Sequence, residues 1–239
     1  MTRQFFKEAI EDYLSREEYF RTDFHTHSFL SDGVLLPMEQ LRRAFTSGHQ
    51  CYAITDHVSA SNLDIIPKII EDCKLATKHW DILALPGVEL THVPVAAMDD
   101  IIEKAREYGA LVVVIHGETI AEPVQPGTNE KAANNKEVDI LAHPGFLTEK
   151  EATLCEKNDV FVEITSRKGH NITNGHIVQM GKKKNVNFLQ NTDTHSPQDM
   201  LTYSEGLKIL KGAGLQANEA KQVTQENVRR FLAKIYDHI

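Results

Sequence analysis

Histidines spaced to meet a common partner are the most chemically suggestive feature of the chain. There are 12 in 239 residues, and many stand beside a carboxylate. D-F-H-T-H-S carries His25 and His27, and N-T-D-T-H-S carries Asp193 and His195. On an extended backbone, residues two apart point to the same side, so each pair can address one metal ion. Other short apolar runs end in the same residue types. These are Asp56 and His57 in I-T-D-H, Glu89 and His92 in G-V-E-L-T-H, His116 and Glu118 in V-I-H-G-E, and His143 in L-A-H-P-G. Asp32 follows the first pair in S-D-G. One histidine at a strand end ordinarily serves a hydrogen bond. Six histidines and three carboxylates at matching ends of successive runs point instead to metal. The nine are His25, His27, Asp32, His57, Glu89, His116, His143, Asp193 and His195. Four ligands fill a zinc site, so nine imply two or three ions. Mixed imidazole and carboxylate sites accept zinc, manganese or iron according to supply. Clustered divalent ions activate water and clamp the attacking and leaving oxygens of a phosphoester.

The elements that must position these groups follow an alternation. Apolar, β-branched runs at 22–26, 51–55, 82–90, 111–115, 138–142, 160–165 and 186–190 read as strands buried on both faces. Amphipathic stretches follow them at 37–47, 65–79, 98–108, 129–135, 148–157, 174–184, 197–211 and 218–236, and another precedes them at 3–14. Seven β-then-α units predict one α/β domain over 1–239, a distorted seven-stranded (β/α)7 barrel with the N-terminal helix 3–14 before it, the barrel at about 22–211 and a C-terminal helix at about 218–236. An open doubly wound sheet is the alternative. Both gather ligands at the carboxyl ends of the strands, where the metal site is expected.

Composition sets bounds. Lys plus Arg number 26 against 34 Asp plus Glu, a formal net charge of -8. That balance disfavours broad contact with nucleic acid or an anionic membrane. No run approaches the ~20 apolar residues of a membrane span. The opening residues lack a leader's long apolar stretch. Cys51, Cys73 and Cys155 are too few and too scattered for a disulfide framework, and the expected location is the cytoplasm.

The ordered series D-x-H-x-H-S with S-D-G, then I-T-D-H, G-x-E, H-G-E, A-H-P-G and D-x-H, over about 22–196, resembles the PHP (polymerase and histidinol phosphatase) family. It is most similar to the stand-alone hydrolases related to histidinol phosphatase. The resemblance implies a trinuclear centre. Its first ion would take His25, His27, Glu89 and Asp193. Glu89 would bridge to a second ion completed by His116 and His143, and Asp32, His57 and His195 would hold the third. Asp56 fits a carboxylate supporting a ligating imidazole, and Asp23 and Glu118 are candidates for the same work.

The run at 160–165 ends in no ligand. Ser166, Arg167, Lys168 and His170 follow it. Arg offers a planar fork for two phosphate oxygens, so Arg167 is the expected phosphate contact, with Lys168 and His170 beside it. His92 lies close enough to the strand ends to touch substrate. The loop 122–130 could wall the pocket. The expected activity is metal-dependent hydrolysis of a small phosphomonoester, with Glu89, Asp193 and Arg167 as the catalytic groups. A PHP-type nuclease and a non-catalytic metal-binding module are the alternatives.

Overall fold

The computed structural model describes residues 2–17 and 21–239. A leading helix, α1 (Thr2–Leu14), precedes an alternation of strands and helices, interrupted where β3 follows β2 directly. In order come β1 (Thr22–Asp23), α2 (Pro37–Thr46), β2 (Cys51–Ile54), β3 (His57–Val58), α3 (Ile66–His79), β4 (Leu83–Leu90), α4 (Met98–Glu107), β5 (Val112–His116), α5 (Thr128–Ala133), β6 (Ile140–Ala142), α6 (Glu149–Asn158), β7 (Phe161–Thr165), α7 (Asn174–Lys184) and β8 (Phe188–Asn191). Three helices close the chain: α8 (Tyr203–Gly212), α9 (Ala217–Thr224) and α10 (Glu226–His238).

Seven strands pair in parallel in the order β1-β2-β4-β5-β6-β7-β8, and β3 carries the line of β2 onward against β4. Val112, Val113 and Val114 are all at 0% exposure, as expected where helices cover one face and the barrel interior the other. The edges β1 and β8 meet along a seam that nearly closes the barrel. His27 N–H donates to Thr194 O at 2.8 Å, and Asp193 N–H to His25 O at 3.0 Å.

The expected strand at 22–26 is regular only at Thr22–Asp23, because side chains take the Phe24 and Thr26 amides and leave only scattered backbone bonds beyond it. Phe24 N–H donates to Asn191 Oδ1 at 2.9 Å, and Thr26 N–H to Thr55 Oγ1 at 3.0 Å.

Two expected helices are each split. The stretch 197–211 is a 3-10 turn (Pro197–Asp199) and then α8. Ser196 and Thr202 each begin a capping box, and Met200 between them is extended at ψ 121°. The single C-terminal helix at 218–236 is instead α9 and α10, broken at Gln225 (φ -123°, ψ -72°). Asn227 is the reason the chain turns there: its Nδ2–H donates to Phe188 O in β8 at 2.9 Å. α10 then packs beneath the barrel. Phe231 sits 4.6 Å from the Phe24 ring and 5.2 Å from Phe161. The Lys234 ammonium donates to Val138 O and Asp159 O just before β6 and β7. This plugs the end of the barrel opposite the histidines.

Candidate metal centre

The side chains at the carboxyl ends of the strands converge on one pocket. Glu89, near the end of β4, lies at the middle. Its Oε1 is 3.3 Å from His25 Nε2 and 3.6 Å from His143 Nε2. Its Oε2 is 3.5 Å from His27 Nε2 and 2.8 Å from His57 Nδ1. Asp193 faces the same histidines across the seam, with Oδ1 3.1 Å from His27 Nε2 and Oδ2 3.7 Å from His143 Nε2. Asp32 stands between His57 (3.4 Å) and His195 (3.2 Å). Five sets among the described residues therefore have ligand atoms within reach of a shared ion: His25, His27 and Glu89; His25, His143 and Asp193; Glu89, His116 and His143; Asp32 with His27, His57 and His195; and, at the rim, His92, His116 and Glu122.

These donors suit divalent cations. Two ligand atoms at the ~2.0–2.1 Å of zinc bonds sit about 3.4 Å apart around a tetrahedron, close to the spacings found here. His25 Nε2, His27 Nε2 and Glu89 Oε1 are buried without a hydrogen-bond partner. Buried polar atoms left so are costly, and a cation on them removes the cost. Proton positions agree. His25 Nδ1 lies 2.7 Å from Glu163 Oε1, His116 Nδ1 3.2 Å from Gly117 O, and His195 Nδ1 2.9 Å from Asp193 O. Each acceptor holds the proton on Nδ1 and leaves the Nε2 lone pair for a ligand. Burial pushes the Asp193 carboxyl up to about 7, the lowering by His25 notwithstanding. Cations alongside would reverse that shift.

The backbone is strained at the same place. Among the described residues, five non-glycine residues have positive φ. Asp159 and Asn185 are ordinary left-handed helix ends. The other three are His92 (53°), His143 (26°) and Asp193 (55°), all at the centre or its rim. Such conformations persist only where the surroundings enforce them, and they gather at functional sites.

The remaining candidates divide. Arg167 reaches the centre, with Nε 3.9 Å from Asp193 Oδ2 and Nη1 3.5 Å from Asp199 Oδ2, its side chain 30% exposed. His170 is buried, its ring 4.4 Å from that of His143. Lys168 points to solvent. His92 is exposed at the rim, its ring 5.1 Å from His116.

The three carboxylates expected to support imidazoles do other work. Asp56 accepts from Ser28 N–H, Ser28 Oγ–H and Ser31 Oγ–H, each at 2.6 Å, and so fixes the loop that presents Asp32. Asp23 ties the seam, pairing with Arg21 (3.0 Å) and accepting from Thr192 Oγ–H (2.6 Å). Glu118 accepts from Gly127 and Asn129 N–H at 2.9 Å, capping the start of α5. The carboxylate that does hold an imidazole is Glu163, fully buried in β7 and bound to His25, His143 N–H and Asn191. A single charge inside V-F-V-E-I-T, a run buried on both faces, was its signal. Glu122, in the loop after β5, is the other addition: it faces His92, His116 and His170.

No family model matches the chain. It is 43% identical over 217 residues to the uncharacterized protein MJ1295 of Methanocaldococcus jannaschii, spanning 90% of this chain and 100% of that one. It is 24% identical over 237 residues to the probable phosphatase Teth514_1060 of Thermoanaerobacter, spanning 88% and 93%. In fold it is similar to a chain of archaeal ribonuclease P with mature tRNA (TM-score 0.65, 14% identity, covering 91% and 90%). It is also similar to histidinol phosphate phosphatase from Lactococcus lactis, solved with zinc, L-histidinol and phosphate (TM-score 0.58, 14% identity, covering 82% and 94%). The chain belongs to one family with the Methanocaldococcus protein, and its barrel and ordered motifs resemble those of the PHP family.

Proposed function

We propose that the chain is a metal-dependent phosphomonoesterase acting on a small phosphorylated substrate in the cytoplasm. The observation that carries this reading is the convergence of nine His, Asp and Glu side chains, with buried ligand atoms lacking any other partner, beside the partly exposed Arg167. His25, His27, Glu89 and Asp193 would hold one divalent ion, Glu89, His116 and His143 a second, and Asp32, His57 and His195 a third, each zinc, manganese or iron. Such ions lower the pKa of water and offset phosphoryl charge.

The chain's own groups do the rest. Glu163 and the Gly117 and Asp193 carbonyls hold imidazole protons on Nδ1. Asp199 steadies Arg167 and also accepts from His195 and Ser196 N–H at 3.0 and 2.8 Å, so guanidinium and ligand loop are set together. From there Arg167 would grip equatorial phosphoryl oxygens as charge builds on them.

A nuclease acting on single-stranded ends is the second reading. It is favoured by Phe29 and Phe146, each 65% exposed on loops that follow strand ends, as platforms on which bases could stack. One experiment separates the two. The metal-loaded protein is given an aryl monophosphate and, separately, end-labelled single-stranded RNA and DNA. The expected result is chelator-sensitive phosphate release with oligonucleotides left whole. Shortened oligonucleotides without monoester turnover would hand the function to the nuclease reading, and neither activity would remove both.

A further inference from the structure

A second cleft, of about 320 Å³, lies far from the metal centre. Phe188, which lines it, opens β8, and the other end of that strand leads to Asp193. The walls are the end of α7, the start of β8, α9 and the start of α10. Lys182 and Glu219 pair at 2.5 Å and so tie α7 to α9. Phe188, Leu215 and Val223 supply apolar surface. The uncharged polar lining is all carboxamide: Asn185, Asn187, Gln222 and Asn227.

Asn227 decides what such a cleft can accept. It is 3% exposed. Its Nδ2–H donates to Phe188 O at 2.9 Å, which fixes the way the carboxamide faces. Its Oδ1 is left buried with no hydrogen-bond partner. A buried acceptor in that state is costly, and a ligand that brings an N–H to it removes the cost.

Carboxamides match one ligand edge well. They pair with the amine-bearing edge of a nucleobase, accepting from its exocyclic N–H and donating to a ring nitrogen. Apolar and aromatic side chains meet the faces of the ring. With its donor already used, Asn227 offers only an acceptor, so a base without an exocyclic amine leaves it unpaired. At ~30 Å³ for each water-sized group, the space admits about ten non-hydrogen atoms, the size of an aminopurine ring. A sugar would then extend outward. Arg230, also on the lining, is exposed and pairs with no carboxylate among the described residues. An anionic group on the sugar would find its planar fork there.

We propose that this cleft binds a purine nucleotide whose base carries an exocyclic amine, the amine on Asn227 Oδ1 and the 5′ anion toward Arg230. The site shares no residue with the metal centre, and probes without phosphate keep the two apart. Binding of adenosine, of purine riboside, which lacks only the amine, and of adenosine 5′-carboxylate is measured by calorimetry on the metal-loaded protein. Adenosine is expected to bind about tenfold tighter than purine riboside, the worth of one hydrogen bond to a buried acceptor. The carboxylate should bind about threefold tighter again, as an exposed ion pair allows. Arg230→Glu should remove that second gain and leave adenosine within about twofold. Gln222→Trp, at an exposed position, should fill the cleft and abolish binding of all three while metal content and the urea midpoint stay constant.

No binding of adenosine, or equal affinities for adenosine and purine riboside, overturns the assignment. So does binding that persists in Gln222→Trp, or a carboxylate that gains nothing over adenosine or keeps its gain in Arg230→Glu. Adenosine binding that survives Gln222→Trp but is lost in Glu89→Gln places the nucleoside at the metal centre and overturns it as well.

Discussion

Each oxygen of Glu89 meets a different pair of histidines, Oε1 between His25 and His143 and Oε2 between His27 and His57. A carboxylate so placed can join two cations, and an amide of equal size cannot. Glu89→Gln is expected to lose at least one equivalent of metal by elemental analysis and to abolish phosphate release. Full metal content with normal turnover would take the bridging role away from it. Arg167 should behave differently, since it touches Asp193 only at 3.9 Å. Arg167→Ala should keep its metal and lose about tenfold to hundredfold in kcat/KM, the ~1.5–3 kcal/mol of a charge-assisted hydrogen bond. Arg167→Lys should recover part of this, because the ammonium keeps charge but not the fork. Unchanged kinetics in the alanine variant would make Arg167 a surface charge. At this scale the sequence was informative wherever a polar residue closes an apolar run, as with His143 in L-A-H-P-G. It was silent on Glu122, whose loop has no periodicity to aim it, and it misdirected Asp56, whose neighbour His57 lies beside it in sequence while its bonds go to Ser28 and Ser31.

Strands and helices were legible to the extent that local pattern decides them. The valine run at 112–114 could be little else than an interior strand, and α7 occupies the expected 174–184. What local pattern misses is interruption from a distance. The break at Gln225 follows from Asn227 reaching β8, and β1 is short because Asn191 and Thr55 intercept its amides. Capping, in contrast, was present in the residues 202–205 as T-x-x-E. Thr202 Oγ1 accepts from Glu205 N–H while the Glu205 carboxylate accepts from Thr202 N–H at 2.8 Å. Thr202→Ala is expected to lower stability by about 1 kcal/mol in urea denaturation with metal content unaffected. An unaltered midpoint would show that α8 is held by packing alone.

The molecule separates its labours along the barrel axis, with the ionisable cluster at the carboxyl ends of the strands and α10 with its aromatic contacts at the other. Some titratable groups are nevertheless buried away from the cluster. His49 is 1% exposed, and burial first, then the Arg21 charge, hold its pKa well below the usual histidine range. Above about pH 6.5 it is neutral whether folded or unfolded and contributes nothing. Below that, the unfolded chain gains a proton that the folded one refuses, so stability falls as pH falls. Over the unit beneath pH 6.5 the parent should lose about 1 kcal/mol more than His49→Gln in urea denaturation, and parallel curves would contradict it. The seam carries a further consequence, one of timing. Asp23 and Thr192, which it joins, are 169 positions apart. A ribosome adding about 5–20 residues per second needs on the order of ten to thirty seconds to pass from one to the other. Throughout that interval His25 and His27 exist without Asp193 or the carbonyl that orients His195. A nascent chain therefore lacks the complete set of candidate ligands until β8 and the residues just after it have been made.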